Sequence, residues 1–441
     1  MDTGFRVQAR HLLVVMTILQ VLWLLFIWVS GTASNWYKLP LLFVYSVVCG
    51  VGVGVVPTSI FSQSRQVTAC LLTTEHQPLA TLCLGVLLMG VLYAYAQLGW
   101  PDEPFIFSAS RIVVEQGVAA FFAGYSNIPW LGNQHPPLAP LLYGGVMALF
   151  GVHLFVIRCV ALVLSVFTLL LTYAIGRELY SHRIGLLAAL FFVSTPFFFR
   201  IGTTGLTDMP TAFCFILGVF LMFRLVEKPT YQLAVAVGLC LGVGLLYRYT
   251  MVFIYPLLLG VVAVRGLWRR LVGHLLVVLL VSGGMLAIWF CYAASIGVLA
   301  VQWRTLTYSA GFVAKTAMGR TREEGWIAGA LLFRVPSGIG IANFPLLLLG
   351  GWCLCQRRNL SDVSLLLWIV AVCFPLLLTL PGPRYFLPAF PALAMMMAWG
   401  LEYVGGEEAT SRVVLLSLLY TVGALYLFVD WYRAAGDLFL R

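Results

Sequence analysis

Two adjacent carboxylates, Asp102 and Glu103, lie in the run Trp100-Pro101-Asp102-Glu103-Pro104, just past an uncharged apolar stretch from Leu79 to Leu98. Acidic groups that close to a membrane core cost energy unless they face water or a site, so they are candidate functional groups. A third acid, Asp208, sits in Thr207-Asp208-Met209-Pro210 between two apolar runs. Carboxylates so placed can act as general bases toward a hydroxyl. Positive groups occupy comparable positions: Arg200, Arg248 and Arg384, the last within Gly382-Pro383-Arg384-Tyr385-Phe386-Leu387-Pro388. His135 stands in Asn133-Gln134-His135-Pro136-Pro137.

Each of these has a plainer explanation. An acidic pair at a helix end can simply be solvated at the interface. Asp208 before Met209-Pro210 suits a helix N-cap, and His135 before two prolines suits a rigid turn. Single arginines at span ends commonly snorkel. An arginine at membrane depth nevertheless costs about 3 kcal/mol by insertion scales, and several together call for an anionic partner. Lipid phosphate is the obvious one, because the planar guanidinium fork donates two parallel hydrogen bonds. Carboxylates as base and arginines on a phosphate leaving group together describe chemistry on a phosphate-linked lipid.

The elements that must position these groups are helices in a bilayer. The chain has 441 residues, 61% hydrophobic and 10% charged, with a mean hydropathy of +0.98. Soluble domains carry about 25% charged residues, so this is an integral membrane protein. With about 20 apolar residues needed to cross about 30 Å of hydrocarbon, the pattern predicts about thirteen spans. They fall at residues 11–30, 40–61, 79–98, 155–176, 184–199, 209–226, 231–247, 250–264, 272–293, 339–356, 363–380, 384–402 and 411–430. The first run is too long for a signal-peptide core and is expected to be retained. The net charge of +10 is dispersed at segment ends with no basic stripe, which speaks against nucleic acid. The ten cysteines lie mostly inside apolar runs without metal-ligand spacing.

A cytoplasmic N-terminus puts Arg6/Arg10, Arg65, Arg177/Arg183, Arg224/Lys228, Arg265/Arg269/Arg270, Arg357/Arg358 and Arg412 inside, as the positive-inside bias requires. The acids and the three arginines then share the extracytoplasmic face. Leu138 to Leu154 is apolar enough to span, but counting it would invert Arg177 and Arg183. It is therefore read as a helix lying at the interface, as is Phe105 to Phe122. The first outer loop, about 99–154, becomes a cap on the membrane surface. A second outer loop, about 294–338, is the most polar region.

The ordered set Pro101-Asp102-Glu103, His135-Pro136-Pro137-Leu138, Gly176-Arg177-Glu178-Leu179-Tyr180, Leu206-Thr207-Asp208-Met209-Pro210 and Arg384-Tyr385-Phe386-Leu387-Pro388 resembles the GT-C glycosyltransferases. Within them it is similar to the protein O-mannosyltransferase and aminoarabinose transferase group, over about residues 79–400. The resemblance implies an all-α polytopic enzyme with juxtamembrane helices in its first outer loop, working on the extracytoplasmic face of the plasma membrane. It divides the chain into two additional N-terminal helices (1–78), a catalytic core (79–402) and a C-terminal helix with a short tail (403–441). It also implies a polyprenyl-phosphate sugar donor and a lipid, glycan or protein acceptor. Asp102 takes the acidic position of the first outer loop, with Glu103 beside it, and Asp208 that of the second. Arg248 stands where relatives often carry lysine. No large soluble C-terminal domain is expected.

The expected activity is inverting transfer of the sugar to an acceptor hydroxyl. Asp102 is the general base, with Glu103 and Asp208 orienting the acceptor or sugar. Arg248, Arg384, Tyr385, Arg200 and His135 serve the lipid phosphate. No cofactor or obligatory metal is expected, although a hard cation bridging Asp102 and Asp208 is chemically reasonable. The rival is a transporter or flippase that uses the same arginines for binding alone. Transporters commonly carry internal repeats and midplane sites; this chain has no convincing repeat, and its polar residues gather at one face.

Overall fold

A computed structural model describes residues 77–96, 102–129, 131, 135–195, 198, 201–304, 339, 343–379 and 383–405. The expected spans at 11–30, 40–61 and 411–430 lie outside the described residues, as do Arg200 and most of the second outer loop. Helices and turns account for the regular structure, and there is no strand among the described residues. Apolar sequences of this kind satisfy their backbone polar groups internally, which in a bilayer leaves the helix as the natural form.

In chain order the helices are α1 (Gln77–Ala96), α2 (Glu103–Glu115), α3 (Gly117–Ala123), α4 (Leu138–Phe150), α5 (Leu154–Leu179), α6 (His182–Ser194), α7 (Asp208–Glu227), α8 (Tyr231–Tyr247), α9 (Ile254–Val264), α10 (Trp268–Ser295), α11 (Phe344–Arg357), α12 (Leu360–Thr379) and α13 (Phe390–Gly405). Among the described residues α5, α7 and α10 are long and apolar enough to cross a membrane. At 26 residues, α5 is about 39 Å long. In its most apolar stretch α7 is 72% buried against 22% for α10, so α7 runs through the middle of the bundle and α10 along its edge. The pairs α5–α7, α7–α8, α8–α10, α5–α6, α6–α13 and α11–α13 pack against one another.

Two expectations change in detail. The stretch 105–122 is not one helix but two, broken at Gln116-Gly117, where Gly117 takes φ +87°, a conformation glycine adopts without strain. The expected span 384–402 begins as a 3-10 turn, Pro383–Ala389, before α13; Pro388 has no N–H to give a regular α-helix there. The α11–α13 contact is unusually close. A Cβ on Gly400 would lie 2.6 Å from the Leu346 carbonyl, and one on Gly350 would clash with the Met396 carbonyl. Only glycine allows the two backbones to meet there.

Candidate active site at one end of the bundle

The bundle brings the starts of α2, α7 and α13 and the end of α8 to one end. Asp102 immediately precedes α2, yet its side chain makes no cap hydrogen bond. It faces Arg384 instead, with Nη1 2.6 Å from its Oδ2. Asp208 is the first residue of α7, and the residue in the cap position is Thr207. The capping explanation of Asp208 therefore gives way. Its Oδ1 accepts from Arg248 Nη1 at 2.6 Å, and Arg384 Nε lies 4.0 Å from the same oxygen. Arg384 is thus the charge that reaches both aspartates.

Tyr385 completes the cluster. Its ring lies beneath the Arg248 guanidinium at 4.3 Å and near that of Arg384 at 5.0 Å, within range of cation–π attraction. Arg384 Nη2 also donates to the Tyr385 hydroxyl at 3.0 Å. Arg248 is held in extended backbone between the end of α8 and the 3-10 turn Tyr249–Phe253, so its side chain leaves the α8 axis and reaches Asp208. Asp208 and Arg248 are nearly sealed, whereas the Asp102 side chain retains 23% exposure. Asp102 is the more exposed of the two aspartates.

His135 is buried near this cluster. Its burial first, then the positive charges of Arg248 and Arg384, push its pKa well below the ordinary histidine range. Its backbone makes the turn expected from the prolines, with Pro137 capping α4. Its carbonyl also accepts from the Tyr125 hydroxyl at 2.6 Å.

Glu103 behaves differently from its neighbour. It is fully buried and bound bidentately by Arg158, Nε to Oε1 at 2.9 Å and Nη2 to Oε2 at 2.7 Å. The Gly205 N–H donates to the same Oε1 at 2.8 Å, and Arg158 Nη1 donates to the Ala94 carbonyl at 2.9 Å. These bonds tie α1, α2, α5 and the segment leading into Asp208 into one unit. Glu103 is expected from the sequence to orient acceptor or sugar; in the structure its oxygens accept from Arg158 and the Gly205 N–H inside the protein. Arg158 is missing from the sequence-based set. Its signal was an arginine just inside an apolar run, which reads as a snorkelling anchor.

An apolar groove of about 1000 Å³ runs along α4, α5, α7 and α8, lined in part by Leu142, Val146, Phe155, Val160, Pro210 and Tyr247. Pro210 and Tyr247 stand two and one residues from Asp208 and Arg248 in sequence, but the side chains of the charged cluster are not among the residues that line the groove. No group of three or more histidine, cysteine or acidic side chains converges as a metal site among the described residues.

Residues 134–292 match the family model of dolichyl-phosphate-mannose-protein mannosyltransferases. No curated protein matches the sequence. The fold is similar to the crystal structure of ArnT from Cupriavidus metallidurans bound to undecaprenyl phosphate, at a TM-score of 0.59 and 16% identity over 76% of this chain and 61% of that one. The apo state of the same protein gives a TM-score of 0.56 at 16% identity, over 73% and 59%. The oligosaccharyltransferase AglB from Archaeoglobus fulgidus, in complex with an inhibitory peptide and a dolichol-phosphate, gives 0.49 at 15% identity, over 80% and 56%. This chain spans about three fifths of the length of the ArnT chains it matches. The family match and the fold together show the resemblance to GT-C glycosyltransferases that the ordered motifs imply.

Proposed function

We propose that this protein is a membrane glycosyltransferase that moves a sugar from a polyprenyl-phosphate donor to an acceptor hydroxyl on the extracytoplasmic side. The observation that carries the reading is the convergence of Asp102, Asp208, Arg248, Arg384 and Tyr385, from distant parts of the chain, at one end of a bundle that also carries an apolar groove. A donor of this class needs both features: somewhere to lay an isoprenoid chain and fixed positive charge for its phosphate. The positive-inside distribution supports the extracytoplasmic placement.

In this reading Asp102, the more accessible acid, accepts the proton of the acceptor hydroxyl. The new bond forms between the acceptor oxygen and the anomeric carbon as the bond from that carbon to the phosphate oxygen breaks. The bonding electrons leave on the lipid phosphate. Arg248 and Arg384 stabilise that developing charge without reorganising, since their aspartate and tyrosine contacts already fix them. Direct displacement inverts the anomeric configuration. Asp208 holds Arg248 in place, and the buried, neutral His135 adds no competing charge. No step calls for a metal.

The test is turnover by the full chain in proteoliposomes, supplied with radiolabelled sugars on undecaprenyl phosphate and a panel of lipid, glycan and peptide acceptors. Asp102→Asn is expected to lower transfer by about 10²–10⁴-fold while undecaprenyl phosphate binding persists. Undiminished transfer by that variant would remove Asp102 as the base. Donor binding and movement without transfer, in the wild type, would favour the transporter reading.

A further inference from the structure

Beside the aspartate–arginine cluster lies a second buried polar network that the proposed transfer does not use. Gln302, in a helical segment at 298–304, is 1% exposed. Its Oε1 accepts from the Tyr249 hydroxyl at 2.6 Å, and its Nε2 donates to the His135 carbonyl at 3.0 Å. The Tyr249 oxygen in turn accepts from Trp289 Nε1 at 2.9 Å. The His135 carbonyl takes a second hydrogen bond from the Tyr125 hydroxyl at 2.6 Å.

The direction of every bond is fixed. The Trp289 indole can only donate and the His135 carbonyl can only accept. The single Tyr249 proton must therefore go to Gln302, and the amide can sit only one way round. Around it the Tyr125 and Trp289 rings meet edge to face at 5.1 Å, and the Tyr292 hydroxyl donates to the Phe122 carbonyl at 2.7 Å.

Both ends of the Gln302 amide bear on the site. Tyr249 follows Arg248 directly, and Arg248 is an extended residue pinned by α8 on one side and by the Tyr249 turn on the other. His135 is the imidazole whose proton affinity is lowered by its burial first and then by the two site arginines. We propose that Gln302 is a positioning residue: it sets the separation of the His135 segment from Tyr249, and thereby the aim of the Arg248 guanidinium at a lipid phosphate. The inference rests on the reading that the cluster binds a polyprenyl phosphate. Gln302 itself touches no reacting atom.

The experiment measures binding of undecaprenyl phosphate to the full chain in lipid nanodiscs, with thermal unfolding recorded on the same samples. Gln302→Glu keeps an acceptor for Tyr249 but sets a second acceptor against the His135 carbonyl. Its folded fraction is expected to bind about tenfold more weakly, as for a buried polar group left unmatched. Gln302→Leu should weaken binding similarly, and adding Tyr249→Phe to either should cost little more, because the same bridge is already broken. Should the Gln302 variants fail to fold, Tyr249→Phe alone decides; it preserves shape and is expected to weaken binding by about threefold or more. A lower unfolding temperature with unchanged affinity of the folded fraction would reduce Gln302 to a structural role and overturn the proposal. Wild-type protein that binds no undecaprenyl phosphate overturns the transferase reading and this inference together. Wild-type binding matched by every variant overturns this inference alone.

Discussion

Asp102 and Glu103 are neighbours, and each meets an arginine, yet the two ion-pair regions they found are built to opposite ends. Around Glu103 the bonds close on themselves: two from Arg158, one from the Gly205 N–H, and an Arg158 bond to Ala94, all within the protein. Around Asp102 the pairing is partly exposed, and Arg384 divides itself between two acids and a tyrosine. A bidentate, fully desolvated pair holds helices in register. A pair that keeps some exposure leaves its carboxylate open to an outside group. Geometry, not residue type, separates a strut from a site.

Breaking the strut gives the largest expected effect. Glu103→Gln leaves Arg158 buried without its countercharge and is expected to destabilise the protein by about 3–5 kcal/mol, read as denaturant or thermal unfolding of the purified protein. Replacing Glu103 and Arg158 together by leucine should recover part of that loss, though not all, since Gly205 and Ala94 lose partners too. A small effect of Glu103→Gln would erase the distinction between the two regions. Next come the site arginines. Arg248→Lys and Arg384→Lys keep the charge but lose the fork, and each is expected to weaken undecaprenyl phosphate binding by about tenfold or more, with unfolding temperature changed far less than by Glu103→Gln. The smallest effect is on pH dependence. Because His135 titrates lower when folded than its unfolded value of about 6.5, its contribution to stability is complete above that pH and declines as the medium is acidified below it. The slope is at most about 1.4 kcal/mol per pH unit, and His135→Gln should flatten that part of the unfolding profile.

Much of this was legible in the sequence. Apolar runs gave helices at 79–98, 155–176, 231–247 and 272–293 close to where α1, α5, α8 and α10 stand, because a bilayer leaves few other ways to satisfy a backbone. The convergence of Asp102, Asp208, Arg248 and Arg384 followed from the cost of charge at membrane depth. Their pairing did not, since nothing in a single sequence says which acid meets which arginine across intervals of 40 and 282 residues. The divergence of Asp102 from Glu103 was equally hidden. It turns on where α2 begins: one carboxylate sits on the cap and the other on the first helical residue, so they point different ways. Arg158 resembled an ordinary anchor, and Gln302, uncharged within a polar loop, carried no signal at all.

One feature of the cluster bears on how the protein lives in an energised membrane. At their formal charges Asp102, Asp208, Arg248 and Arg384 sum to zero, although each member is strongly polar. Voltage acts on net charge displaced along its field. Moving the paired cluster as a unit therefore carries almost no net charge through that field.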